Sequence, residues 1–298
     1  MHSRHLMIVA ILGLGMVRLW IASADERPKA RDAGIQFMHR ERSLQPGEVV
    51  LIEAQCPHPL RKLSAGAFGR EFPVFTENNG LSWTALLGID LETRPESYPV
   101  ILKGIDETGK TVFAQDVLIV TGKKFPVRSL AVEDKYVAPP PDVLARIKEE
   151  KEKVDAIFAL ITPERLWQGP FRLPVAGSVI SAFGKRSIYN GQPRSPHTGV
   201  DFRGGTGTPV HSPNEGRIVL AANLYYSGNA IIVDHGLGLY SYFGHMSAFS
   251  VKEGDLVKTG DVLGQIGATG RVTGPHLHWT VRLVGTRVDP LSLVKILN

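Results

Sequence analysis

Two short stretches hold residue types at spacings that could do chemistry. GPHLHWTVR (274–282) carries His276 and His278 one residue apart. About eighty residues upstream, SPHTGVDF (195–202) sets His197 and Asp201 four apart. On a strand, positions i, i+2 and i+4 project to one face. Two such strands side by side would bring imidazole nitrogens and a carboxylate oxygen around one divalent metal. Two histidines and one aspartate leave a fourth coordination position for water, which is the arrangement of a hydrolytic zinc site. Spacing alone leaves open whether His276, His278 or both bind the metal, and it gives His245 in YFGHMS no role. Six histidines fall in this part of the chain: His197, His211, His235, His245, His276 and His278. Other hydrolytic chemistries lack their parts. There is no HExxH to supply a glutamate base and no GxSxG nucleophile elbow, and the single cysteine, Cys56, lies far off among apolar residues and reads as a small buried hydrophobe.

The elements that must position these residues are β-strands. From residue 171 to 298 the candidates are SVISAF, GRIVLAAN, AIIVDHG, LYSYFGHM and HLHWTVRLV. Of the 31 glycines 19 lie here, which favours tight turns over long helices and a compact antiparallel β domain. Residues 35–122 show a second set of β-type runs (VVLIEA, FPVF, LSWTALLGID, YPVILKGID, TVFAQDVLIV) between turn signals, the pattern of an immunoglobulin-like β-sandwich. They hold no titratable cluster, and His39 and His58 read as isolated surface histidines. Residues 123–170 form a linker. Within it the spacing predicts an amphipathic helix over 142–161, with Asp142 as N-cap and Ile147, Val154, Ile157, Phe158 and Ile161 on one stripe, packed between the two β units. The architecture expected is mainly β, two β domains joined by one helix.

HTGVDF, PVHSPNEGRIV, GNAIIVDHGLGLYSYFGHMS, VKEGDLVKTGDVLGQIGATGRVTGPHLHW and VDP, in that order through about residues 171–291, resemble the lysostaphin/LytM-type zinc metallopeptidases. These are peptidoglycan endopeptidases, and some exported members carry a similar N-terminal half. The resemblance implies one Zn²⁺ per chain held by His197, Asp201 and His278. It implies His276 as the base acting on a zinc-activated water, and His245 as the residue that assists it and stabilises the transition state. The implied substrate is the stem peptides or cross-bridges of peptidoglycan. Where the family more often has a small residue, this chain has His211, read as a surface histidine or a groove contact. His235 reads as a structural hydrogen-bonding residue, and Arg186 and Tyr189 as loop residues beside the site.

Charge and leader sequence agree with work outside the cytoplasm. MHSRH, the apolar LMIVAILGLGMV and Ala22-Ser23-Ala24 have the plan of a secretory signal peptide over 1–24; Arg18 interrupts an apolar run already short for a membrane span. The formal charge is +5, and without Arg4 and Arg18 it falls to +3 (32 basic against 29 acidic residues), too mild and too evenly spread for a nucleic-acid binder. No later stretch is apolar enough to span a membrane, so after cleavage the chain is expected in the periplasm or cell envelope, or secreted. Two alternatives weigh against the enzyme. A non-catalytic wall-binding or activator protein on the same fold would lack some of the five site residues, and all five are present. A biotinyl/lipoyl carrier, suggested by VKEGDLVKTGDVLGQIG, needs a lysine at a hairpin tip, where neither Lys252 nor Lys258 sits.

Overall fold

Apolar residues at every second position organise the first half of the chain. In the computed structural model, which describes residues 34–130 and 139–298 and so leaves the leader outside the described residues, eight strands form here. They are β1 Gln36–Glu41, β2 Val49–Gln55, β3 Leu60–Ala67, β4 Arg70–Phe72, β5 Val74–Thr76, β6 Ser82–Gly88, β7 Ser97–Asp106 and β8 Thr111–Ile119. They pair antiparallel in two sheets, ordered β1-β2-β6-β5 and β4-β3-β7-β8. Lettered along the chain, these orders read A-B-E-D and C′-C-F-G, the strand order of a constant-type immunoglobulin sandwich with one short strand added. Inward side chains such as Ile52, Leu63, Phe72, Leu87, Val100, Leu102 and Leu118 fill the space between the sheets, together with buried Cys56.

After the sandwich, β9 Val127–Leu130 pairs in parallel with β11 Arg186–Tyr189. A 3₁₀ turn at Pro141–Val143 then leads into α1 Leu144–Ala159. Asp142 is therefore not the helix N-cap. The prolines at 139–141 fix φ and withhold N–H groups, so a tight turn forms first, and Val143 occupies the cap with no side-chain bond. The stripe also lands elsewhere than between the β units. Val154, Ile157 and Phe158 pack on Leu220, Ala230, Ile232, Tyr240 and Tyr242 of the second, larger sheet, while Ile161 lies beyond the helix and is exposed.

That sheet contains β10 Val179–Ser181, β13 Gly199–Arg203, β14 Pro209–His211, β15 Gly216–Leu224, β16 Gly228–Gly236, β17 Leu239–Phe249, β18 Leu256–Val257, β19 Val262–Ile266, β20 His276–Leu283 and β21 Thr286–Val288. Its main path runs β10-β13-β20-β17-β16-β15-β18, all antiparallel, and β12 Gln192–Pro193 forms a hairpin with β11 to one side. The C-terminal helix α2 Pro290–Leu297 closes the chain, with Asp289 accepting from the Leu291 N–H at 3.0 Å as its N-cap.

The sandwich and the large sheet share a core. β2 is buried on both faces: Val50 and Ile52 point into the sandwich, while Val49 and Leu51 join Phe171, Phe202, Trp279, Leu293 and Ile296. Around this seam lie two charged clusters. Arg42 donates to Glu48 (2.8 and 2.9 Å) and to Asp289 (2.6 Å), and Lys123 also reaches Glu48 at 2.9 Å. Arg287 donates to Asp90 and Glu92. Burial alone would raise the Glu48 and Asp90 carboxyls, but hydrogen bonds from Arg42 and Lys123 to one and from Arg287 to the other hold both below the ordinary range.

Three outcomes follow for stability. The described chain should unfold in one transition by calorimetry, without a separate melt for the sandwich. Because the depressed carboxyls stabilise the fold while ionised, that transition should drop as pH falls below about 4 and through their lowered folded values. Replacing Arg42 by Ala strands the buried Glu48 carboxylate with Lys123 alone. It should cost about 2 kcal/mol at pH 7, less than a fully buried pair because Arg42 is part-exposed, and the loss should shrink in acid as Glu48 protonates.

Candidate metal centre

The register of β13 against β20 brings the two motifs together. Asp201 lies directly opposite His278, and Arg203 opposite His276; on the other side of β20, Gly244 of β17 lies opposite His278. The intervening residues Val200, Phe202, Leu277 and Trp279 point the other way and are buried in the core. Gly199 allows the close approach of β13 to β20: a Cβ there would sit 2.3 Å from the Trp279 carbonyl oxygen.

His197 does not share the strand with Asp201, as the four-residue spacing would have it. It precedes β13 in an irregular segment and is held by residues 182–185. Its backbone N–H donates to the Lys185 carbonyl at 2.9 Å, its carbonyl accepts from Gly184 N–H at 2.8 Å, and its ring Nδ1–H donates to the Ala182 carbonyl at 3.0 Å. This turns Nε2 inward, 3.0 Å from both Asp201 Oδ1 and His278 Nδ1, while His278 Nδ1 is 2.9 Å from the same Oδ1. The outward nitrogen of His278 donates to Thr280 Oγ1 at 2.9 Å.

Both imidazoles thus spend their outer N–H on an acceptor and aim a lone pair at one carboxylate oxygen. Three electron-rich atoms about 3 Å apart require a proton or a cation between them. Two imidazole nitrogens, one carboxylate and outward hydrogen bonds that fix each ring constitute the donor set of a zinc site with one position open. Among the described residues this trio forms the group able to hold a metal ion.

The remaining two histidines flank the trio. His276 donates its Nδ1–H to the Gly274 carbonyl at 2.9 Å, which leaves Nε2 as a lone-pair site 3.9 Å from Asp201 Oδ1. His245 arrives by a different route. Strand alternation would send it to the core side with Phe243, which stacks on Trp279. Instead its φ of +67° places it in the left-handed region and swings the ring to within 4.9 Å of the His276 ring. Such a conformation costs on the order of 1 kcal/mol or more for a residue with a Cβ. Bonds to either side hold it, from the backbone N–H to the Ser227 carbonyl (2.7 Å) and from Nδ1–H to the Thr269 carbonyl (3.0 Å).

Protonation follows from these surroundings. Burial, then the neighbouring His278, pushes His245 down to about 4, so the ring is neutral at pH 7. Burial also lowers His278 despite its bond to Asp201. For His197 burial acts in the same sense, but the hydrogen bond and charge of Asp201 outweigh it and raise the value. Burial would raise Asp201, yet hydrogen bonds from His197 and His278, which either ring donates inward once it is protonated, leave the carboxyl far below the usual carboxylate range.

The other singled-out residues stand apart. His235 is fully buried, with Nδ1–H on the Glu215 carbonyl (2.7 Å) and Nε2 at Ser241 Oγ (3.0 Å), and burial lowers it to about 4. His211 donates to the Gly260 carbonyl at 2.9 Å and lines an open cavity of about 420 Å³ with Arg172, Val175 and Thr208. Arg186 and Tyr189 lie on β11, exposed and half-buried respectively, and Arg194 sits over the Tyr189 ring. Sequence reading did not find Thr280, although its i+2 spacing from His278 on one strand face was available. Nor did it find the carbonyls of Ala182, Thr269 and Gly274, which no side-chain pattern signals.

Comparison with known proteins gives the family. Residues 195–290 match the model of peptidase family M23. The crystal structure of a putative M23 peptidase from Pseudomonas aeruginosa is 32% identical, covers 85% of this chain and 95% of its own, and superposes with a TM-score of 0.66. The DD-carboxypeptidase/endopeptidase Mpg of Neisseria meningitidis is 42% identical over 97 residues, 33% of this chain and 22% of the relative. The peptidoglycan DD-endopeptidase ShyA of Vibrio cholerae is 39% identical over 98 residues, 33% of this chain and 23% of the relative. The match thus spans less than a quarter of these curated relatives. On the shared sequence and near full-length structural likeness, the chain belongs to peptidase family M23.

The outward bond of His278 gives a direct test of the centre. Replacing Thr280 by Val removes the acceptor for Nε2–H while keeping the shape, and should weaken zinc binding about 10-fold or more in a chelator competition. Thr280→Ser should retain most of the affinity.

Proposed function

We propose that this protein is an exported zinc metalloendopeptidase that cleaves peptide cross-links of peptidoglycan, with one Zn²⁺ per chain. The observation that carries the reading is the convergence of His197 Nε2, Asp201 Oδ1 and His278 Nδ1, with the free Nε2 of His276 beside them. Family membership supports peptidase chemistry, and the names of the Neisseria and Vibrio relatives support a D,D-peptide bond in the wall as the target. The leader pattern over residues 1–24 supports delivery to the periplasm or envelope.

In this reading His197, Asp201 and His278 would hold the ion, which when bound would supply a Lewis acid for the scissile carbonyl and lower the pKa of water toward neutrality. The chain's own groups handle the protons. His276 is oriented by the Gly274 carbonyl so that Nε2 takes a proton from the attacking water and returns it to the leaving amine. His245 is neutral and spends its Nδ1–H on Thr269, so its Nε2 carries a lone pair. It shares the proton work first, and becomes a donor to the developing oxyanion only after taking up a proton. Tyr242 lies on the same sheet face, 6.5 Å from the His278 ring, and with Phe158 of α1 against it closes that side of the site.

Purified protein incubated with sacculi should release muropeptides whose masses match cleaved cross-links, and a chelator should abolish them. His276→Ala should keep stoichiometric zinc and lose about 10²- to 10⁴-fold in rate. His278→Ala should lose the zinc as well. Products insensitive to chelator, or no products from the zinc-loaded protein, would overturn the reading.

A further inference from the structure

We propose that Phe125, in the segment leaving the sandwich, is a positioning residue for His197; the inference rests on the metal-dependent reading above. Of the three residues at the centre, Asp201 and His278 are fixed by the β13–β20 ladder. His197 is not on a strand, and its ring and both backbone groups hang on residues 182–185. The orientation of Nε2 is therefore only as firm as that short segment.

Residues of the first half of the chain hold the segment from two sides. The Phe125 ring lies against Gly184 so closely that a Cβ there would meet it at 2.1 Å. Gly184 has φ +77°, so glycine alone suits both the backbone and the contact. Phe125 also meets the buried Phe183 edge-on at 6.4 Å, and Phe183 fills the space over Gly47, where a Cβ would be 2.4 Å from its ring. Next to Phe125, the Pro126 carbonyl accepts from Arg186 N–H at 2.8 Å and starts the parallel β9–β11 pairing. Lys123, bonded to Glu48, lies over the Phe125 ring at 5.5 Å. The β9 strand beyond is largely exposed, Val127 by 60%, so Phe125 is the apolar anchor of this connection. A line of contact runs from Gly47 through Phe183, and from Glu48 through Lys123, to Phe125, then through Gly184 to the backbone carbonyl of His197, whose ring is held by Ala182 two residues earlier.

Chelator competition on the full chain tests this. Phe125→Ala should raise the zinc Kd about 10-fold, as loss of a ligand's orienting partner does, and Phe125→Leu should recover part of the affinity. Phe113→Ala, an exposed site on the sandwich, should leave it unchanged. Because the effect acts through His197, adding Phe125→Ala to His197→Ala should weaken zinc binding little further. Should Phe125→Ala fail to fold, Phe125→Leu carries the same comparison with a shift of a few-fold. A zinc Kd within about twofold of wild type, or full additivity with His197→Ala, would overturn the inference and leave the metal centre standing. A wild-type chain that takes up no zinc would overturn both.

Discussion

The pairing of Asp201 with His278 across β13 and β20 is the constraint on which the rest of the structure depends. A slip of one residue in either strand would turn Asp201 or His278 toward the core and bring Val200 or Trp279 out to solvent. The apolar residues that alternate with the site residues therefore specify the site as much as the histidines do. Phe202, Trp279 and Phe243 form an aromatic layer beneath it, and an error of register in β13 or β20 would forfeit the burial of Phe202 or Trp279. Core packing and ligand convergence are two faces of one ladder.

Much of the centre was legible because it follows strand periodicity. HxH places both imidazoles on the outer face of β20, and the aspartate of HTGVDF falls on the matching face of β13. What escaped was whatever departs from that periodicity. His197 lies off the strand, so its distance of four from Asp201 owes nothing to a common pleat. His245 reaches the site through a left-handed backbone conformation that its sequence neighbours do not announce. Strand β3 went unread because a register shift between Leu60 and Lys62 breaks its alternation. The parallel pairing of β9 with β11 joins segments nearly sixty residues apart, and no local pattern encodes such a partner. One legible signal was passed over: the run VVLI in β2, apolar at every position, is what a strand buried on both faces looks like.

The seam between sandwich and sheet unites apolar and ionic elements that do different jobs. Val49, Leu51, Leu86 and Leu91 supply the dry contact with the core of the large sheet. The clusters about Glu48 and Asp90 add less net stability than their number suggests, since burying charge is costly. They do fix position: Asp289 caps α2, accepts from Arg42, and donates its own N–H to the Gly47 carbonyl at 2.7 Å. The end of the chain is thereby tied to the first loop of the sandwich, and the same loop abuts Phe183 next to the site.

A strand that serves two cores has a consequence for inheritance. Val49 and Leu51 complete one interior while Val50 and Ile52 complete the other, so a recombination event that exchanged the sandwich for an unrelated module would leave the large sheet with an open apolar wound. At Gly88, where an added Cβ would come 2.1 Å from Thr286 Oγ1, even one methyl group calls for an answering change almost two hundred positions away. In this chain the two halves are thus packed as a pair, and a substitution on one side of the seam is limited by the side chains that it meets on the other.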